Sequence, residues 1–99
     1  MVKHIVLFKF KEMEDTAAKK AVMQEFKLAL EGLKGKISFL RFIEVGINEN
    51  PKEDFDMSLI TEFDSMEDLA NYASHPDHVA ATSIIKDIKA GRACVDYIF

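Results

Sequence analysis

The chain has 99 residues, 48% of them hydrophobic and 30% charged, with four Gly and two Pro. That length is one domain, and that composition excludes disorder and low-complexity repeats. A formal charge of −4 argues against coating a duplex or gripping a membrane surface through basic patches, so neither nucleic acid nor membrane is an expected partner. The one cysteine, Cys94, excludes an internal disulfide and every Cys/His finger spacing. The apolar run Ile5–Phe8 is far too short for a signal-peptide core or a membrane span. Residues 1–99 are therefore read as a single domain, expected in the cytoplasm.

From Val2 to Phe10 the residues alternate: Val2, His4, Val6, Phe8 and Phe10 share one face, and Lys3, Ile5, Leu7 and Lys9 the other, which is strand periodicity. Asp15 or Thr16 offers an N-cap, and Ala18, Val22, Phe26, Ala29, Leu30 and Leu33 follow at helical spacing until Gly32 and Gly35 end the helix. A second strand is predicted over Ile37 to Val45, a polar loop containing Asn50-Pro51 over Gly46 to Asp54, and a third strand from Asp56 to Phe63. Ser65 to Asp68 resembles a capping box and opens a short helix with Leu69, Tyr72 and Ala73 at core spacing. Pro76 disfavours helical geometry at His75 and starts a further helix, expected over Asp77 to Ile88 and ending near Gly91. Arg92 to Phe99 reads as the last strand, with Cys94, Asp96 and Ile98 alternating against Val95, Tyr97 and Phe99.

The order β-α-β-β-α-(α)-β predicts an α+β, ferredoxin-like fold: a four-stranded antiparallel sheet with its helices on one face. The opposite face then presents Ile5, Leu7, Ile60, Val95, Tyr97 and Phe99 with no element left to cover them. An apolar patch of that kind on a short chain marks an interface, and a two-fold homodimer packing sheet against sheet buries it economically. The expected assembly is thus a dimeric α/β barrel.

His4 shares a strand face with Val6 and Phe8, while Tyr72, His75 and His78 are spaced by three, and Asp96 faces the same way as Cys94. If helices cover the face bearing His4 and Asp96, these polar groups converge in an apolar space lined by Val6, Phe8, Val22, Phe26, Leu59, Val79 and Cys94. That is the usual form of a small-molecule site. The segment Tyr72-Ala73-Ser74-His75-Pro76-Asp77-His78-Val79, with Val2–Phe10 and the closing Asp96-Tyr97, resembles the stress-responsive A/B barrel (Dabb) family of dimeric α+β barrels over essentially the whole chain. The resemblance implies a ferredoxin-like protomer and a dimer. The chain is also similar to a plant branch of that family, the olivetolic acid cyclases, which close a linear polyketide by aldol condensation. That likeness implies a catalytic pair at Tyr72 and His78, with His4, His75 and Asp96 around the pocket. Phe26 and Met57 depart from it, standing where the plant pocket has a tyrosine and a histidine.

In chemical terms, His78 would take a proton from carbon next to a carbonyl, Asp96 would fix the tautomer of His78, and Tyr72 would donate a hydrogen bond to the enolate oxygen. Aldol cyclisation, enolisation and isomerisation all suit this trio, with a small apolar or carbonyl-containing substrate and no metal or organic cofactor. Each residue also has a structural alternative: a hydrogen-bonded core histidine, an amphipathic core tyrosine, an aspartate paired with His4 or His78, and a turn-capping His75. Cys94 is read as a small buried hydrophobe. His4, His75, His78 and Asp96 have the ligand types for zinc or iron, but no HxH or HExxH anchor is present, so no metal is assigned. The acidic run from Glu49 to Asp68 is expected to be a solvated face. The competing functional classes are a non-enzymatic stress-responsive protein or ligand carrier, and a pure dimerisation module.

Overall fold

A computed structural model covering residues 1–99 orders the chain as β1 (Val2–Phe10), α1 (Thr16–Gly32), β2 (Phe42–Ile47), β3 (Met57–Phe63), α2 (Met66–Ser74), α3 (Pro76–Thr82) and β4 (Lys89–Ile98), with short 3₁₀ turns at Leu33–Gly35 and Ser83–Ile85. The strands form one antiparallel sheet in the order β2-β3-β1-β4, the ferredoxin-like arrangement expected from the alternation of elements. β1 is central. Its register sets Thr61, His4 and Asp96 in one row across three strands. No helix is long and apolar enough to cross a membrane.

The helices pack on the face that carries Val2, His4, Val6, Phe8 and Phe10, all buried. α1 starts where the Asp15 side chain accepts the Ala18 N–H, and it drives Met23, Phe26 and Leu30 into the core. Phe26 is fully buried and meets the edges of Phe8 and Phe10 at ring distances of 5.3 and 6.4 Å. Ser65 accepts the Asp68 N–H to open α2. The His75 ring does the same for α3 by accepting the Asp77 N–H, with Pro76 as its first residue.

The structure corrects several expected boundaries. Ile37 to Arg41 is not strand. Ile37 donates its N–H to the Leu33 carbonyl and Leu40 to the Ile37 carbonyl, so tight turns bury both side chains before pairing starts at Arg41, whose N–H donates to Glu62. β2 instead runs on through Gly46 and Ile47, into the stretch expected to be loop. The last helical stretch ends at Thr82 and tightens into Ser83–Ile85, because the chain must reach β1 by Lys89. β4 consequently begins at Lys89, and Gly91 lies inside it opposite Lys9. Ala73 is exposed rather than in the core.

β4 is an edge strand, and it is exposed along nearly its whole length because the helices stop short of it. On the outer sheet face Leu7, Val95, Tyr97 and Phe99 are exposed, and Ile5 and Ile60 are half-buried.

Truncating Phe26 to Ala is expected to cost about 3–5 kcal/mol, since the ring leaves a cavity that rigid neighbours cannot fill. Urea unfolding followed by circular dichroism measures it, and a loss under about 1 kcal/mol would mean the core collapses around the gap.

Candidate functional site

Where the helices end and β4 continues, two open clefts lie side by side on the helix face of the sheet, sharing His4, His78 and Arg92. The larger, of about 470 Å³, has Val6, Phe8, Leu59, Val79 and Ile85 as its apolar lining, with Lys86, Lys89 and Arg92 at its polar side. The smaller, of about 370 Å³, is lined by Leu69, Tyr72, Ala73, Cys94 and Asp96 among others. His78 thus stands between the two.

The break between α2 and α3 positions His78. His75 leaves helical geometry at ψ 134°, as a residue before proline must, and the chain turns so that the His78 ring lies 4.4 Å from the Tyr72 ring. His78 Nδ1 is 3.0 Å from the Ala73 carbonyl oxygen. A carbonyl oxygen only accepts, so Nδ1 carries the proton and Nε2 keeps its lone pair. Burial pushes the His78 imidazolium below its ordinary range. The Ala73 carbonyl opposes the shift, while the charges of His4, Arg92 and His75 add to it. The neutral, proton-accepting form is therefore the form at neutral pH.

Tyr72 is fully buried against Phe63, with ring centres 5.0 Å apart, and its hydroxyl has no hydrogen-bond partner. Burial raises its pKa strongly, so the hydroxyl stays protonated and remains a donor. The Thr61 hydroxyl, buried in the same sheet row as His4, is also without a partner. Buried hydroxyls are nearly always satisfied in folded proteins; of these two, Tyr72 borders the smaller cleft and Thr61 lies in the core beneath the sheet row.

Asp96 does not serve His78. Its Oδ1 lies 2.5 Å from His4 Nδ1, because the β1–β4 register sets the two opposite each other. Cys94, expected to be buried, is exposed on the uncovered strand. Its sulfur lies 3.5 Å from His4 Nδ1 and 3.6 Å from Asp96 Oδ1. Burial and the Asp96 charge raise the Cys94 thiol, Arg92 opposing, so it is not an activated nucleophile. His4, Cys94 and Asp96 hold one donor atom each within 4.8 Å of one another and are the group that could reach a single metal ion. His75 is not with them.

Of the residues proposed for the pocket, His4, Val6, Phe8, Leu59, Val79 and Cys94 lie along the clefts. Three expected lining residues do not. His75 is occupied as the cap of α3 and faces Phe39, with ring centres 6.5 Å apart. Phe26 lies fully in the core behind Phe8, and Val22 packs at the edge of that core. Arg92, Lys86 and Lys89 also line the larger cleft and were not expected there. Arg92 was legible by its parity with Cys94 and Asp96.

Residues 2–99 match the Stress responsive A/B Barrel Domain. The chain belongs to that family. Among solved A/B barrel and ferredoxin-like structures, it is similar to a dimeric protein of unknown function from Bacteroides fragilis. The two are 51% identical with a TM-score of 0.95, over 99% of this chain and 95% of the other. A dimeric ferredoxin-like protein of unknown function from Thermobifida fusca is 25% identical, with a TM-score of 0.79 over 99% and 90% of the two chains. A hydroxynitrile lyase from Passiflora edulis shares the fold at 16% identity and a TM-score of 0.74, over 99% and 92%. No curated protein matches this A/B barrel chain.

Because its hydroxyl is unpartnered, Tyr72→Phe is expected to leave stability unchanged or to raise it by up to about 1 kcal/mol. Thermal and urea unfolding check this, and a loss above about 1 kcal/mol would reveal a hydrogen bond the fold depends on.

Proposed function

We propose that this A/B barrel protein is a homodimer with a small-molecule site in each protomer, at which His78 and Tyr72 carry out cofactor-independent acid–base chemistry on a carbonyl compound. The observation that carries it is the Tyr72–His78 pair: a neutral imidazole with a free Nε2, in ring contact with a buried tyrosine whose hydroxyl has no partner. His78 Nε2 takes the proton from carbon next to the carbonyl, and the electron pair moves onto the carbonyl oxygen. The Tyr72 hydroxyl, covered in this structure, donates its hydrogen bond to that oxygen once the ligand displaces the side chains over it. The low polarity around Tyr72 strengthens the bond. His4, held by Asp96, borders both clefts. Aldol cyclisation of the kind seen in the plant cyclase branch, enolisation and isomerisation share this first step. The Passiflora lyase supports the frame only, at 16% identity.

A ligand carrier without turnover is the second reading. The apolar lining of Val6, Phe8, Leu59, Val79 and Ile85 favours it.

Deuterium exchange at the central carbon of 3-methylpentane-2,4-dione, followed by NMR, tests the enzyme reading. His78→Ala is expected to lower the protein-catalysed rate by about 100-fold or more. Tyr72→Phe is expected to lower it by about 10- to 100-fold, with folding intact in both. The rate should rise with pH through a midpoint below the ordinary histidine value of about 6.5 and then level off, because only neutral His78 accepts a proton. Equal rates in the wild type and His78→Ala would leave the carrier reading.

The outer sheet face supports the dimer. Leu7, Val95, Tyr97 and Phe99 are exposed there, side by side, and the half-identical Bacteroides protein is dimeric. Light scattering should give twice the chain mass, and Val95→Asp should give the single chain mass. A monomeric wild type would overturn this part.

A further inference from the structure

We propose that the larger cleft selects a substrate bearing a carboxylate, held by Lys86, Lys89 and Arg92. This rests on the small-molecule site proposed above and names its substrate class. All three cations line that cleft, and no Asp or Glu does. The whole chain carries −4, so this concentration of positive charge runs against the average of the surface. None of the three forms an ion pair with another residue of the chain. Their charge is thus not spent within the fold.

Their placement depends on a local irregularity of the sheet. Arg92 stands opposite Phe8 and therefore faces the helices. Lys89 is three residues earlier, and in a regular strand an odd spacing would point it to the outer face. The register shifts between Lys9 and Phe10, so that Lys9 pairs with Gly91 while Phe10 pairs with Lys89. Ala90 is the extra residue, and the bulge turns Lys89 to the same side as Arg92. Lys86 joins them from the turn after Ser83–Ile85. A guanidinium binds a planar carboxylate through paired hydrogen bonds, and the two ammonium groups add charge without demanding a fixed direction. The apolar lining of Val6, Phe8 and Leu59 lies alongside this group in the same cleft. It suits the body of an acid whose carbonyl reaches His78.

Calorimetric titration with 4-oxo-octanoate and with its uncharged methyl ester tests the assignment. The wild type is expected to bind the acid at least tenfold more tightly than the ester. In Lys89→Gln/Arg92→Gln that preference should fall below threefold with ester affinity unchanged, and 0.5 M salt should erode it in the wild type. Lys86→Gln, in a turn outside the sheet, should reduce it in the same direction and serves if the double variant does not fold. His78→Ala should keep the preference, so loss of proton exchange and loss of acid selectivity are read separately. Equal binding of acid and ester, no binding of the acid, or a preference that survives both the double variant and Lys86→Gln would overturn the proposal.

Discussion

β1 hydrogen-bonds to β3 on one side and to β4 on the other, and a slip of one residue in either ladder would turn a whole strand over. His4 would then face away from Thr61 and Asp96, and the apolar residues of the helix face would meet water. The hydrophobic alternation of β1 prevents this: Val2, Val6, Phe8 and Phe10 are buried and hold the register. The polar row Thr61–His4–Asp96 is therefore fixed by apolar neighbours that take no part in any chemistry.

The second element of the site is built on different physics. A proline after His75 stops one helix and starts the next, and the capping bond from Asp77 to the His75 ring fixes the angle. That turn sets His78 on Tyr72, with the Ala73 carbonyl deciding which imidazole nitrogen bears the proton. A backbone carbonyl thus takes the orienting role that the sequence suggested for Asp96. His75 is used up in making the turn, which explains why it stands outside the clefts.

Cavity and interface follow from one shortfall. Two short helices and α1 do not extend over β4, so its helix side opens into clefts while the outer face of the sheet stays bare and apolar. In the proposed dimer the second copy covers the outer face and leaves the helix side to the ligand. The bulge at Ala90 then sets the charge of that opening by bringing Lys89 beside Arg92.

The sequence by itself determined the element order, the central strand with its inward face, a cap at Asp15 or Thr16, the cap at Ser65 and the break at Pro76. These are local: periodicity, capping and proline geometry act within a few residues, and apolar alternation states which face is buried. The tertiary structure alone decided the partner of Asp96, the exposure of Cys94, the orphan state of the Tyr72 and Thr61 hydroxyls, the recruitment of Lys86 and Lys89, and the exclusion of Phe26 and Val22 from the site. Each of these depends on register between strands distant in sequence, or on how far a helix reaches across a sheet. A bulge of one residue reverses the parity from which a side chain's direction is read, and no pattern along β4 announces it. The pairing with β1 does.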